Sequence, residues 1–116
     1  VTPPTLTLSL GGHPRPLLVP AAGGVRPVGR PGSLLGALAA PDLYDETVGL
    51  GPGDALVVFT DGCVGDDPAG AERRLGAALE EEAGAGAGRL AEAVEAAALA
   101  AVDHTDDLTV LSCRRL

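Results

Sequence analysis

The sequence predicts an α+β fold in which antiparallel β-sheets carry helices packed outside, and three observations support that expectation. Short apolar and alternating stretches punctuated by Gly and Pro fill residues 5 to 60. A helical period then takes over between Glu72 and Val102, and a last apolar stretch, Leu108 to Cys113, closes the chain as a strand. At 116 residues the chain makes one domain at most, 1–116, with a modest core.

The elements follow in order. Thr5-Leu6-Thr7-Leu8-Ser9-Leu10 alternates with period two and is expected as a strand with its leucines inward. Gly11-Gly12-His13-Pro14 supplies a turn, and Pro16-Leu17-Leu18-Val19 starts the returning strand. Gly23-Gly24 gives a second hairpin signal before Val25 to Val28. A loop rich in Gly and Pro, Gly29 to Ser33, leads into Leu34-Leu35-Gly36-Ala37-Leu38. Leu43 to Leu50 reads as another strand, paired through the turn Gly51-Pro52-Gly53-Asp54 with Ala55 to Thr60. The first half is therefore expected to be an antiparallel meander.

After Asp61 the character changes. Cys63 to Gly70 reads as a polar, flexible acidic loop holding Asp66, Asp67 and Pro68, with outer metal ligation by the two aspartates as the alternative. Glu72 to Ala83 is a helix with Leu75 and Leu79 four apart, ended by Gly84 to Gly88, because each glycine costs about 1 kcal/mol in a helix interior. Glu80-Glu81-Glu82 closes that helix facing solvent, where its charge opposes the helix dipole. Arg89 to Val102 resumes as a helix with Leu90, Val94, Ala97 and Ala101 on one face. Asp103-His104-Thr105 returns the chain to the final strand. Two helices must then cover six or seven strands, an imbalance expected of part of something larger.

Composition excludes several functions. Apolar residues make up 46% of the chain, enough for a core, but that core is aliphatic, with one Phe, one Tyr and no Trp or Met. Every basic residue is Arg, and the net charge is −8, so a nucleic-acid partner is not expected: binding one needs basic residues to displace counterions. No apolar run approaches a membrane span and no signal pattern opens the chain, so no membrane partner and a cytoplasmic location are expected. Cys63 and Cys113 match neither a disulfide framework nor a zinc spacing, and are expected as small buried thiols.

The chemistry concentrates at two acidic points. Leu56-Val57-Val58-Phe59-Thr60-Asp61-Gly62 is a buried strand that ends on a carboxylate. Thr105-Asp106-Asp107-Leu108-Thr109-Val110-Leu111 reverses that order, carboxylates first and strand second. Hard divalent cations such as Mg²⁺ and Mn²⁺ prefer carboxylate oxygens, and a bound cation relieves the repulsion between nearby carboxylates. The alternative is that each Asp caps a turn, a common role beside Gly. His13 reads as a turn histidine beside proline, with an acid or ligand as the alternative, and His104 as a solvated loop residue that could instead tune the nearby carboxylates. A haloacid-dehalogenase nucleophile would need a second Asp two residues after Asp61, where Cys63 stands.

Four segments in order carry a family resemblance: Gly11-Gly12-His13-Pro14-Arg15-Pro16-Leu17-Leu18, Gly32-Ser33-Leu34-Leu35-Gly36, Leu50 to Gly62, and Asp106-Asp107-Leu108-Thr109-Val110-Leu111. Together the chain resembles the C-terminal half of a PPM-type, SpoIIE-like serine/threonine phosphatase domain, the kind found in bacterial sigma-factor partner switching. The resemblance implies part of an α-β-β-α sandwich whose N-terminal half is missing, with Asp61 and Asp106 as ligands of a two-metal Mn²⁺/Mg²⁺ centre. Asp107 would stand behind them. Water activated by the metals would attack phosphoserine or phosphothreonine on a regulatory partner such as an anti-sigma-factor antagonist, without a protein nucleophile.

In the family, the N-terminal half supplies a bridging aspartate and a carbonyl ligand, and nothing before Thr5 matches that motif. The loop after Asp61 departs too, with Val64-Gly65-Asp66-Asp67 where relatives often carry Thr-Glu-Ala. Two expectations follow. One is a phosphatase fragment weak or inactive alone; the other is a non-catalytic protein-binding module derived from a phosphatase.

Overall fold

In the computed structural model, which describes residues 4–101 and 107–116, six strands and two helices form three layers. The strands are β1 (Thr5–Ser9), β2 (Leu17–Val19), β3 (Arg26–Pro27), β4 (Asp45–Gly49), β5 (Ala55–Phe59) and β6 (Val110–Arg114). The helices are α1 (Pro68–Glu81) and α2 (Ala87–Ala101), inserted between β5 and β6. A four-stranded antiparallel sheet runs β3-β2-β5-β6, and β1 pairs with β4 in a separate two-stranded sheet.

β5 is the organising strand. Its run of apolar residues is buried on both faces, and their alternation is resolved only by packing. Ala55, Val57 and Phe59 join Leu17 and Val19 of β2 against Leu75 and Leu79 of α1 and Leu90, Val94 and Ala98 of α2. Leu56 and Leu18 point the other way, to Val28 and to Val48 of β4, with Leu6 and Leu8 of β1 packed beside them. Helices thus cover one face of the larger sheet and the smaller sheet covers part of the other. The outer face of the small sheet is polar, with Thr7 and Thr47 opposite each other and their hydroxyls 3.0 Å apart. The result is a slab of 40 × 38 × 19 Å.

The strands and their antiparallel sense are as expected, and so is the hairpin from β2 to β3 across Gly23-Gly24, with Leu17 opposite Pro27. The meander is not. β2 does not return along β1, because β1 pairs with β4. Nor do β4 and β5 form a hairpin, since β5 takes β2 and β6 as neighbours. The physical reason is burial. β5 needs both faces covered and goes to the centre, whereas β4 carries polar Asp45 and Thr47 on an exposed face.

The turn Gly51 to Asp54 therefore changes sheets, and its hydrogen bonds show this. The Asp54 carboxylate accepts from Gly51 N (2.8 Å) and from Ala21 N (2.9 Å), while Gly53 N donates to Arg115 O (2.8 Å).

Helix boundaries also differ. α1 starts earlier than its apolar period, at Pro68, because Asp67 caps it by accepting from Gly70 N at 3.0 Å and proline suits the first turn. In α2 the fully buried face is Leu90, Val94 and Ala98, so Ala101 turns out to solvent. Among the described residues no helix is long and apolar enough to cross a membrane.

Candidate active site

β5 delivers Asp61 to the rim of the larger sheet. The chain leaves the strand at Thr60 and tightens into one 3-10 turn, Asp61 to Cys63, with Cys63 N donating to Thr60 O (3.0 Å) and Val64 N to Asp61 O (2.9 Å). Gly62, Cys63 and Val64 are buried, which anchors the turn, and Asp61 is left exposed at its start. No described residue forms a hydrogen bond or ion pair with the Asp61 carboxylate.

Thr60 ties this rim to the second acidic segment. Its amide donates to Thr109 O at 3.0 Å, and its hydroxyl accepts from Thr109 N at 3.0 Å. The hydroxyl proton faces Asp107 O at 3.3 Å and Thr109 O at 3.5 Å. The residue beside Asp61 thus holds the residues just after Asp106, and Asp107 is itself exposed. Asp106 and His104 lie outside the described residues.

The donor chemistry at Asp61 suits a hard cation: an anionic oxygen pair, exposed and uncommitted. Among the described residues, however, no group of three or more His, Cys, Asp or Glu stands close enough to hold a metal ion.

Other polar residues sort differently. His13 is exposed and its Nδ1 lies 2.7 Å from Pro14 O, as a turn histidine should. Asp67 is not part of a flexible acidic loop, because it caps α1, while Asp66 is exposed. Glu80 and Glu82 do not merely face solvent. The Glu80 carboxylate accepts from Val25 N (2.7 Å) and Gly24 N (2.9 Å), which holds its carboxyl below the usual range. Glu82 pairs with Arg89 at 2.8 Å across the glycine-rich connection between the helices. Both thiols are free, but only Cys63 is buried, and burial pushes its thiol up; Cys113 is exposed.

A cavity of about 190 Å³ adjoins the Asp61 turn. Phe59 and Val64, on either side of that turn, line it together with His13, Pro14, Pro31 and Pro68. Its charged wall is an ion pair: Arg15 Nε donates to Glu72 Oε1 (2.9 Å) and Nη2 to Oε2 (2.7 Å). That bidentate bond raises the Arg15 guanidinium further above its ordinary value, so it stays charged. Sequence reading missed this pair, since 57 residues separate its members and no periodicity links them.

Above the cavity the loop after Pro31 is closed by Ser33 N to Asp42 O (2.8 Å) and by Arg30 stacked 3.5 Å over the Tyr44 ring. It leaves Leu34, Leu35 and Leu38 exposed at 61%, 63% and 57%. The loop seats on Gly12, whose φ is +78° and where a Cβ would come within 2.7 Å of Leu34 Cα, so glycine is required there.

Comparison with known proteins agrees with this arrangement. The sequence profile of the family described as Stage II sporulation protein E (SpoIIE) matches residues 2–116. Among solved structures, the RsbU and RsbW domains of Rv1364c from Mycobacterium tuberculosis superpose with a TM-score of 0.74 at 27% identity, over 96% of this chain and 32% of that one. The phosphatase domain of the cell fate determinant SpoIIE from Bacillus subtilis, presoaked with Mn, gives a TM-score of 0.70 at 16% identity, over 96% of this chain and 56% of that one. The chain thus spans about a third and just over half of these two structures. No curated protein sequence matches it. The fold, the ordered motifs and the profile match over almost every residue place the chain in the SpoIIE family of PPM-type phosphatase domains.

Proposed function

We propose that this chain supplies part of the centre of a metal-dependent serine/threonine phosphatase acting in the cytoplasm. Its substrate is a phosphorylated regulatory protein of the anti-sigma-factor antagonist type. Asp61 and Asp106 hold Mn²⁺ or Mg²⁺, and Asp107 supports them from behind. The observation that carries this reading is the exposed Asp61 carboxylate at the end of β5, beside a Thr60 hydroxyl that holds residues 107–109 against the same rim. A divalent cation there supplies acidified water and neutralises charge on a phosphoryl oxygen. The chain's own part is to present the Asp61 carboxylate just beyond β5, which pairs with β6 along its whole length.

Two carboxylates hold Mg²⁺ weakly, since sites with few protein ligands lean on substrate phosphates. Turnover by these 116 residues alone is therefore expected to be low. Manganese-dependent hydrolysis of p-nitrophenyl phosphate tests the reading, together with calorimetric titration of Mn²⁺. Asp61→Asn should abolish whatever turnover and Mn²⁺ binding the wild type has, while leaving stability within about 0.5 kcal/mol, as expected of an exposed side chain. Undiminished turnover in Asp61→Asn would remove Asp61 from the centre.

A second reading, a non-catalytic protein-binding module, draws on the exposed apolar side chains of Leu34, Leu35 and Leu38 beside the cavity. It predicts no specific Mn²⁺ site by calorimetry in wild type or variant.

A further inference from the structure

The cavity beside Asp61 has a size and a charge pattern that limit what can fill it. At about 190 Å³ it falls below the roughly 300–1,000 Å³ typical of small-molecule sites, so it suits a single side chain. Its apolar lining is Phe59, Val64 and three prolines. Its polar lining is Arg15 and Glu72, which already satisfy each other through two hydrogen bonds of 2.9 and 2.7 Å, and His13, whose Nδ1 lies 2.7 Å from Pro14 O. A charged guest meets a pair that is already neutralised, so it gains little from either partner. An uncharged aliphatic guest leaves the pair intact.

The cavity's position points to the source of that guest. Val64, in its lining, is hydrogen-bonded through its amide to Asp61 O at 2.9 Å, and Phe59, the last residue of β5, lies two residues before Asp61. Two residues of the cavity wall thus flank the turn that carries Asp61. Pro31 connects the cavity to the loop bearing exposed Leu34, Leu35 and Leu38, an apolar rim of the kind that marks contact with another protein.

We propose that this cavity is an anchor subsite for one aliphatic side chain of the phosphoprotein substrate, close in sequence to its phosphorylated residue. The subsite rests on the phosphatase reading for the identity of its guest. Its chemistry selects leucine-like side chains over acidic ones, with the Arg15–Glu72 pair acting as the filter against charge.

The test is an NMR titration of the isotope-labelled 116-residue chain with phosphoserine peptides. The peptides share an alanine-rich background and carry one leucine, scanned through the positions flanking the phosphoserine. At one position leucine should shift the Phe59 ring and Val64 methyl signals and bind about tenfold tighter than alanine, the effect of burying a leucine side chain. Aspartate at that position should bind no better than alanine. Pro31→Trp, a substitution at an exposed site, should fill the mouth and remove the leucine advantage. Glu72→Gln frees the Arg15 charge and should make aspartate the preferred residue.

Equal affinity for leucine, alanine and aspartate at every position overturns the subsite. So does binding that shifts only the Leu34–Leu38 loop, or no binding at millimolar peptide. Hydrolysis of p-nitrophenyl phosphate in the same samples separates the two ideas, because that substrate carries no anchor. Turnover without leucine preference removes the subsite alone; leucine-dependent binding by a chain that shows neither turnover nor a specific Mn²⁺ site by calorimetry removes the phosphatase reading alone.

Discussion

Thr60 sits half-buried between β5 and the segment before β6, its amide and hydroxyl both bonded to Thr109. Replacing it with valine keeps the shape but leaves Thr109 N without its acceptor, a loss of about 1 kcal/mol at a partly exposed site. Urea denaturation of Thr60→Val should show that loss as a lower midpoint at unchanged slope. The two cysteines give a second residue-scale prediction. Cys113 is exposed on the edge strand, whereas Cys63 is buried with its thiol pushed up by that burial. A disulfide reagent should titrate one thiol per chain under native conditions and the second only as the protein unfolds, because the reactive species is an accessible thiolate.

Elements are held to one another by a few charged contacts as well as by the core. Glu80 reaches from α1 to the β2–β3 hairpin, where its carboxylate takes two backbone amides that depress its pKa from an ordinary value of 4.5. A carboxyl with a lowered folded pKa contributes stability that is complete above its unfolded value and lost as pH falls through the folded one. Wild type should therefore melt above Glu80→Ala near neutral pH, with the gap narrowing below about pH 4.5. A gap that stays constant into strong acid would show that packing, not charge, accounts for the difference. The same pairing logic explains the Gly84–Gly88 connection, where Arg89 of α2 folds back on Glu82 and joins the helices despite five residues with little side-chain packing.

At the scale of the whole molecule, stability rests on the core between the helices and the four-stranded sheet. Leu79 and Leu90 are fully buried there, 0% exposed, and Val57 and Val19 face them from the sheet. Leu79→Ala should cost about 2–5 kcal/mol, a large share of the 5–15 kcal/mol typical of a domain. Calorimetric melting should show it as a marked fall in midpoint. The smaller sheet covers the other face only in part, so Leu111 of β6 stays 63% exposed beside half-buried Val58.

Much of this was legible in the residues. Alternation in Thr5–Leu10 marked β1, the four-residue spacing of Leu75 and Leu79 marked α1, and the apolar run ending in Thr-Asp-Gly placed Asp61 at a strand terminus. Those signals are local, because backbone period fixes which side chains share a face. Asp67-Pro68 was also a readable helix start, a cap followed by proline, yet its polar neighbours made it look like loop. What only the tertiary structure decided is pairing: β1 with β4, β5 between β2 and β6, Arg15 with Glu72, and Glu80 with the hairpin amides. None of these contacts has a sequence period. Each is set by which faces can be buried together, and burial is a property of the assembled chain.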